Sequence, residues 1–212
     1  FSREGVRSAM EDSLRALKVD CLDLYQVHFW NPKFPIEETM ETMAELQREG
    51  KTRLIGVSNF DAAQMEAARS VAPFQSSQPC YNLIDRELEG EDMAYCARHG
   101  IGILAHSALA KGLLTGKYHP GQRFAEDDER SRFERFRGES LERHLRLAER
   151  LGEIAERKGV TMVQFAIAWV LRRPEVTCAL LGAKSRAQVE DYIGAAGMTF
   201  DDKELDEIEG VL

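Results

Sequence analysis

The residues of this sequence whose types can do chemistry fall at the ends of apolar runs. His28 closes the run 21–28, Ser58 and Asn59 close 53–59, Gln78 lies within 76–82, and Ser107 closes 102–107. A fifth run, 177–181, leads into Gly182-Ala183-Lys184-Ser185-Arg186-Ala187-Gln188. A strand that ends in glycine and passes straight into a capped helix leaves backbone N–H groups facing solvent. With Lys184 and Arg186 beside them, that geometry suits a phosphate. An ordinary strand-to-helix turn carrying two solvated cations accounts for the same residues.

Segments of helical spacing alternate with these runs. Val6, Met10, Leu14 and Leu17 share one face of a helix over 2–17. Pro35 opens a second helix with Ile36, Met40, Met43 and Leu46 inward, closed by Gly50. Asp61 with Gln64 has the spacing of a capping box and starts a third; a fourth over 90–98 stops at Gly100. Further helices are predicted over 140–158, from Thr161 to about Arg172, from Ser185 to Gly197, and from Asp201 onward. The last three have Gln164, Gln188 and Glu204 as capping partners. Pro79 removes a backbone donor and makes the third strand the weakest. A long polar loop, 117–138, is rich in Arg, Glu and Asp, with a few Phe residues to anchor it.

Strict alternation of strand and helix implies parallel strands with right-handed crossovers, an α/β fold that is either a doubly wound sheet or a (β/α) barrel. No G-x-G-x-x-G follows any strand, which weighs against the dinucleotide-binding sheet. A barrel builds its site at the C-terminal ends of its strands, where these polar residues stand. Five strands are counted, so an eight-stranded TIM barrel would lack three. The chain opens at Phe1 and enters a helix at once, from which an N-terminally incomplete single domain over 1–212 is expected.

A chain of 212 residues is long enough for one substantial core. The net charge of −8 argues against a nucleic-acid partner and an anionic membrane surface, and no apolar run reaches the ~20 residues needed to span a bilayer. Cys21, Cys80, Cys96 and Cys178 form no C-x-x-C pair. They are expected to be reduced, buried and structural, as in a cytoplasmic protein, and no metal site is expected.

Taken together, the pieces resemble the aldo-keto reductase family. They are Asp20-Cys21-Leu22-Asp23-Leu24-Tyr25-Gln26-Val27-His28, Gly50-Lys51-Thr52-Arg53-Leu54-Ile55-Gly56-Val57-Ser58-Asn59-Phe60, Gln78-Pro79-Cys80-Tyr81-Asn82 and Ser107-Ala108-Leu109-Ala110-Lys111-Gly112-Leu113-Leu114-Thr115-Gly116-Lys117-Tyr118. Each piece is weak alone; the ordered series spans essentially the whole chain. The resemblance implies a (β/α)8 TIM barrel, represented here by about five of eight strands. It also implies NADPH as cofactor and reduction of an aldehyde or ketone to an alcohol.

Carried over residue by residue, the resemblance assigns His28 to the active-site histidine, which donates to a substrate carbonyl. Ser58, Asn59 and Gln78 match the residues that hold the nicotinamide carboxamide. His106 stands where the family usually places an aromatic that stacks on the nicotinamide. Ser107, Leu109, Lys117 and Arg123 resemble positions that wrap the pyrophosphate, although Arg123 reads equally as a solvated charge on a loop. Gly182, Lys184, Ser185 and Gln188 match the 2′-phosphate end, favouring NADPH over NADH. Asp191 matches an acidic adenine contact, and Tyr192 replaces a common asparagine.

The family's other catalytic groups, an aspartate, a tyrosine and a lysine, match nothing here, and the motifs around Tyr25 and Tyr81 belong to other positions. Without that proton donor the 212 residues alone are expected to be inactive, and with open strand edges to be unstable. Two alternatives are carried. One is a non-catalytic NADPH-binding sensor or auxiliary subunit of the same fold. The other is an unrelated barrel isomerase or lyase that uses His28 as base. Trp30 and Phe29 point to a partly aromatic substrate pocket. Neither the carbonyl substrate nor the oligomeric state is legible.

Overall fold

Each apolar run becomes a strand that stops short of the run's C-terminal end, and two of the strands begin one residue earlier than expected. In the computed structural model, which describes all residues from Phe1 to Leu212, the strands are β1 (Leu22–Val27), β2 (Thr52–Ser58), β3 (Ser76–Gln78), β4 (Gly102–Ala105) and β5 (Val176–Ala179). Strand order follows chain order, and β1 to β4 pair in parallel. β3 has three residues and stops just before Pro79, because that residue has no N–H to continue the ladder.

The helices are α1 (Arg3–Leu17), α2 (Ile36–Arg48), α3 (Ala62–Val71), α4 (Glu91–His99), α5 (Gly138–Arg157), α6 (Met162–Leu171), α7 (Arg186–Ile193) and α8 (Asp202–Val211). Asp61, Thr161 and Asp201 form the reciprocal capping boxes that their spacing predicts. Ser185 caps α7 by accepting from the Gln188 N–H. That helix ends at Ile193, with Gly194 as its cap, rather than running on to Gly197. The polar loop 117–138 is held by two short 3₁₀ turns, and Phe136 within it is buried.

The chain groups into two compact units. The first comprises Phe1–Pro79 and Leu88–Leu104. Met10 and Leu14 of α1 pack there with Leu22 and Leu46. The second comprises Cys80–Glu87 and Ala105–Leu212. Its centre is α6, whose residues from Phe165 to Val170 are all buried. Within this unit the Leu180 N–H donates to the Ala105 carbonyl at 2.8 Å, tying the segment after β5 to the last residue of β4. All four cysteines are free, but only Cys96 is buried; the others are half-buried, short of the expected full burial.

One close approach in the first unit bears on the site. A Cβ on Gly56 would lie 2.1 Å from Ser76 Oγ, 2.7 Å from the Ser76 carbonyl and 3.1 Å from Gln26 Cγ. Only a residue without a side chain lets β2 lie beneath those two neighbours.

Candidate functional site

In the first unit, the C-terminal ends of β1, β2 and β3 gather His28, Ser58, Asn59 and Gln78 into one hydrogen-bonded group. Asn59 adopts φ 56°. Its amide nitrogen donates to the His28 carbonyl at 3.1 Å and to the Ser58 hydroxyl at 3.0 Å. Ser58 is buried and donates in turn to the Gln78 carbonyl at 2.7 Å. Gln78 Nε2 donates to Gln26 Oε1 at 2.7 Å. The His28 side chain is exposed and stands edge-on to Phe29, with ring centroids 5.4 Å apart. Phe1 touches both Phe29 and Phe34, and Trp30 meets Phe60 edge-on at 5.4 Å, so the segment after β1 is a set of aromatic rings.

In the second unit, a cleft of about 540 Å³ is lined by Ser107, Leu109, Lys117, Gly182, Lys184, Gln188, Asp191 and Tyr192 among others. Seven of the predicted positions therefore come together there. Gln188 Oε1 accepts from the Lys184 N–H at 2.6 Å, and the Ser185 hydroxyl accepts from the Gln188 N–H at 3.3 Å. The amides at this helix start, expected to face solvent, are thus partly satisfied by the chain itself. What the stretch offers an anion is chiefly the Lys184 ammonium. Neither Lys117 nor Lys184 has a carboxylate within salt-bridge distance, whereas the polar loop pairs Arg130 with Asp128 and Lys111 with Glu129. Asp191 Oδ1 accepts from the Thr161 hydroxyl at 2.9 Å and from Gln164 Nε2 at 3.0 Å, which ties α7 to the start of α6. The Tyr192 hydroxyl donates to the Gly182 carbonyl at 3.0 Å.

The backbone after β4 is unusual. Ser107, Ala110 and Lys111 all have positive φ (56°, 47° and 53°), followed by Gly112 at 97°. Such conformations hold non-glycine residues at a cost of about 1–3 kcal/mol each and cluster at functional sites. Gly112 is also a contact point: a Cβ there would lie 2.7 Å from the Tyr118 hydroxyl and 3.0 Å from Lys117 Cε, so the bare backbone seats the Lys117 stem.

A smaller cavity of the same unit is lined by His106, Ser107, Cys80, Asp85, Lys111 and Arg135 among others. His106 Nδ1 lies 3.0 Å from Ser107 Oγ. Arg135 grips the Asp85 carboxylate with two bonds of 2.6 and 2.7 Å, and Asn82 adds a third at 2.9 Å. Burial pushes the Asp85 carboxyl up, but the Arg135 and Asn82 hydrogen bonds outweigh it and hold the group below its ordinary value. Burial, then the Asp85 charge, pushes the Cys80 thiol up to about 11, which leaves it protonated at neutral pH and a poor nucleophile.

Two predicted residues join neither the strand-end group nor these cavities. Arg123 is exposed, and Ser185 serves as the cap of α7. Three contributors escaped sequence reasoning: Gln26, Gly112 and the Asp85–Arg135 pair. A lone glutamine between Tyr25 and Val27 in an apolar strand was the available signal for Gln26. The hydroxyls of Tyr25 and Tyr81 are engaged elsewhere: that of Tyr25 donates to the Val6 carbonyl at 3.4 Å, and that of the fully buried Tyr81 accepts from Arg172 at 2.9 Å.

Amides thus gather at the strand ends of the first unit, and two lysines without salt-bridge partners line a cleft of the second. A family model described as "Aldo/keto reductase family" matches residues 1–212, and the chain belongs to that family. It is 37% identical over 212 residues to the aldo-keto reductase YhdN of Bacillus subtilis (strain 168), covering all of this chain and 64% of YhdN. Among solved structures it resembles the glycerol dehydrogenase AKR11B4 from Gluconobacter oxydans, with a TM-score of 0.92 and 36% identity over 99% of this chain and 64% of that one. The thermostable aldo-keto reductase Tm1743, solved with the inhibitor epalrestat, gives a TM-score of 0.78 and 27% identity over 99% of this chain and 67% of the other. The chain thus spans 64% of the length of the first two relatives, and its α/β fold is that of the aldo-keto reductases. No helix is long and apolar enough to cross a membrane.

Proposed function

We propose that the full-length gene product reduces an aldehyde or ketone to an alcohol with NADPH, and that these residues form its cofactor grip and one of its substrate contacts. The observation that carries the reading is that Lys117 and Lys184 line one cleft beside strained backbone, neither within salt-bridge distance of a carboxylate. Cations without carboxylate partners suit phosphate oxygens, and charge-assisted hydrogen bonds to them are the strong kind.

The donor set fits the cofactor at both ends. Ser58 and Gln78 suit the NH₂ end of a carboxamide, which carries its two donors, and Asn59 donates to Ser58 beside them. Ser107, Leu109 and Lys117 suit the pyrophosphate, and Lys184 with Gln188 suits the 2′-phosphate. By the resemblance, His106 would take the place of a stacking ring and Asp191 would meet the adenine. NADPH, when bound, supplies the hydride. His28 then holds the carbonyl oxygen by hydrogen-bond donation, which orients and polarises it.

No residue among the 212 takes the role of the family's acidic tyrosine, so the 212-residue chain by itself does not turn over. Titrating the full-length product with NADPH while following tryptophan fluorescence tests the reading. Saturable quenching together with NADPH oxidation by a carbonyl substrate is expected. Quenching without turnover on any carbonyl would favour a non-catalytic NADPH sensor, and no binding at all would overturn both.

A further inference from the structure

Gln26 is a half-buried polar side chain in β1 to which the reading above gives no task. Its Nε2 lies 3.1 Å from Ser76 Oγ and 3.4 Å from the Val57 carbonyl, and its Oε1 accepts from Gln78 Nε2 at 2.7 Å. The missing Cβ of Gly56 is what lets its stem cross β2 to reach those partners.

The chain of partners has a direction. A backbone carbonyl only accepts, so the end of Gln26 that faces Val57 is its NH₂. The other end is then the carbonyl oxygen, which requires a donor, and Gln78 must turn its own NH₂ toward it. Gln78 Oε1 is thereby left facing away, with no partner in the chain. Without this relay the two ends of the Gln78 amide, nearly identical in shape, would have little to choose between them.

We infer that Gln26 is a positioning residue for cofactor binding: through the Val57–Gln26–Gln78 relay it fixes Gln78 with its amide oxygen outward, so that Gln78 accepts from an NH₂ group of the ligand. The inference rests on the carboxamide reading of Gln78. The neighbouring Ser58 is under the same constraint. Ser58 commits its proton to the Gln78 carbonyl and can only accept from a ligand, like Gln78. Together they form an acceptor pair suited to the NH₂ end of a carboxamide.

The test compares NADP⁺ with its 3-acetylpyridine analogue, in which a methyl group replaces that NH₂. Affinities are measured by calorimetry on the full-length product. The wild type is expected to prefer NADP⁺ by about tenfold, the scale of one well-made hydrogen bond left unmade. Gln26→Met, similar in volume but unable to direct Gln78, is expected to lose most of that preference. Adenosine 2′,5′-bisphosphate, which lacks the nicotinamide, should bind both proteins equally. Gln26→Glu, which keeps an oxygen facing Gln78, should recover the preference; a merely packing role would be met better by Met than by Glu. Full preference retained in Gln26→Met overturns the positioning role. If Gln26→Met fails to fold, loss of the preference in a folded Gln26→Glu overturns it equally. Gln78→Ala separates this from the underlying reading: unchanged NADP⁺ affinity there removes the carboxamide assignment and the inference with it. Weakened NADP⁺ binding in Gln78→Ala beside an unaffected Gln26→Met removes the inference alone.

Discussion

The polar strand ends of the two units are finished in opposite ways. In the first, the side-chain amides and the hydroxyl are tied to one another and to backbone carbonyls: Asn59 to His28 and Ser58, Ser58 to Gln78, Gln78 to Gln26. In the second, Lys117 and Lys184 line the cleft with no carboxylate partner, over backbone that bends through three non-glycine residues with positive φ. The difference follows from what each is suited to recognise. An amide is recognised by the direction of its donors and acceptors, so its binding groups must be oriented in advance. A phosphate is recognised largely by charge, which a long flexible lysine can deliver provided nothing else neutralises it.

The largest effect should come from the one exposed catalytic candidate of the ordered unit. His28→Ala in the full-length product is expected to lower turnover by about 10²–10⁴-fold while leaving the NADPH dissociation constant nearly unchanged. Steady-state kinetics beside calorimetry would measure both, and a parallel loss of binding would mean that His28 holds cofactor instead. Next, Lys184→Met in the open cleft should weaken NADPH by roughly 10- to 100-fold, the range of a charged hydrogen bond, and NADH by much less. Equal weakening of both would remove the 2′-phosphate assignment and with it half of the contrast.

Gly56→Ala probes how tightly the first group is built. The added Cβ meets Ser76 backbone as well as its side chain, so about 1–3 kcal/mol of overpacking is expected, read as a lowered denaturation midpoint. A neutral result would mean that the Gln26 relay is looser than its distances imply. The smallest effect concerns Asp85, whose folded-state carboxyl is held below its ordinary value. A depressed carboxyl contributes stability that is present above the unfolded pKa, about 3.9, and is lost as pH falls through the folded value. Arg135→Ala should therefore destabilise by about 1–2 kcal/mol at pH 7, with the gap to wild type closing below pH 4. A gap independent of pH would mean that Arg135 acts by packing alone.

Much of this was legible in the sequence because it is local. Strand ends, capping boxes and the Gly182–Gln188 turn are each encoded within a few neighbouring residues, and three of the boxes form as spaced. The ends of elements were less legible. Pro79 marks β3 as weak, yet its shortening to three residues depends on where the ladder can continue. Helix α7 ended early at Gly194 despite an alanine-rich sequel that reads as helix. Least legible were contacts between distant residues. Gln26 meets Ser76 and Gln78 across 50 and 52 residues, and no local pattern marks the pairing. The Gln188 side chain was legible as a partner of the helix start, but not that it takes the Lys184 N–H and so leaves the ammonium as the main attraction for an anion.

The division of labour between the two groups is tested most directly by titrating adenosine 2′,5′-bisphosphate into the wild-type full-length product, Gln78→Ala and Lys184→Met by calorimetry. The account predicts wild-type affinity in Gln78→Ala and roughly tenfold or greater weakening in Lys184→Met. Unchanged affinity in Lys184→Met, or equal weakening in both variants, would contradict it.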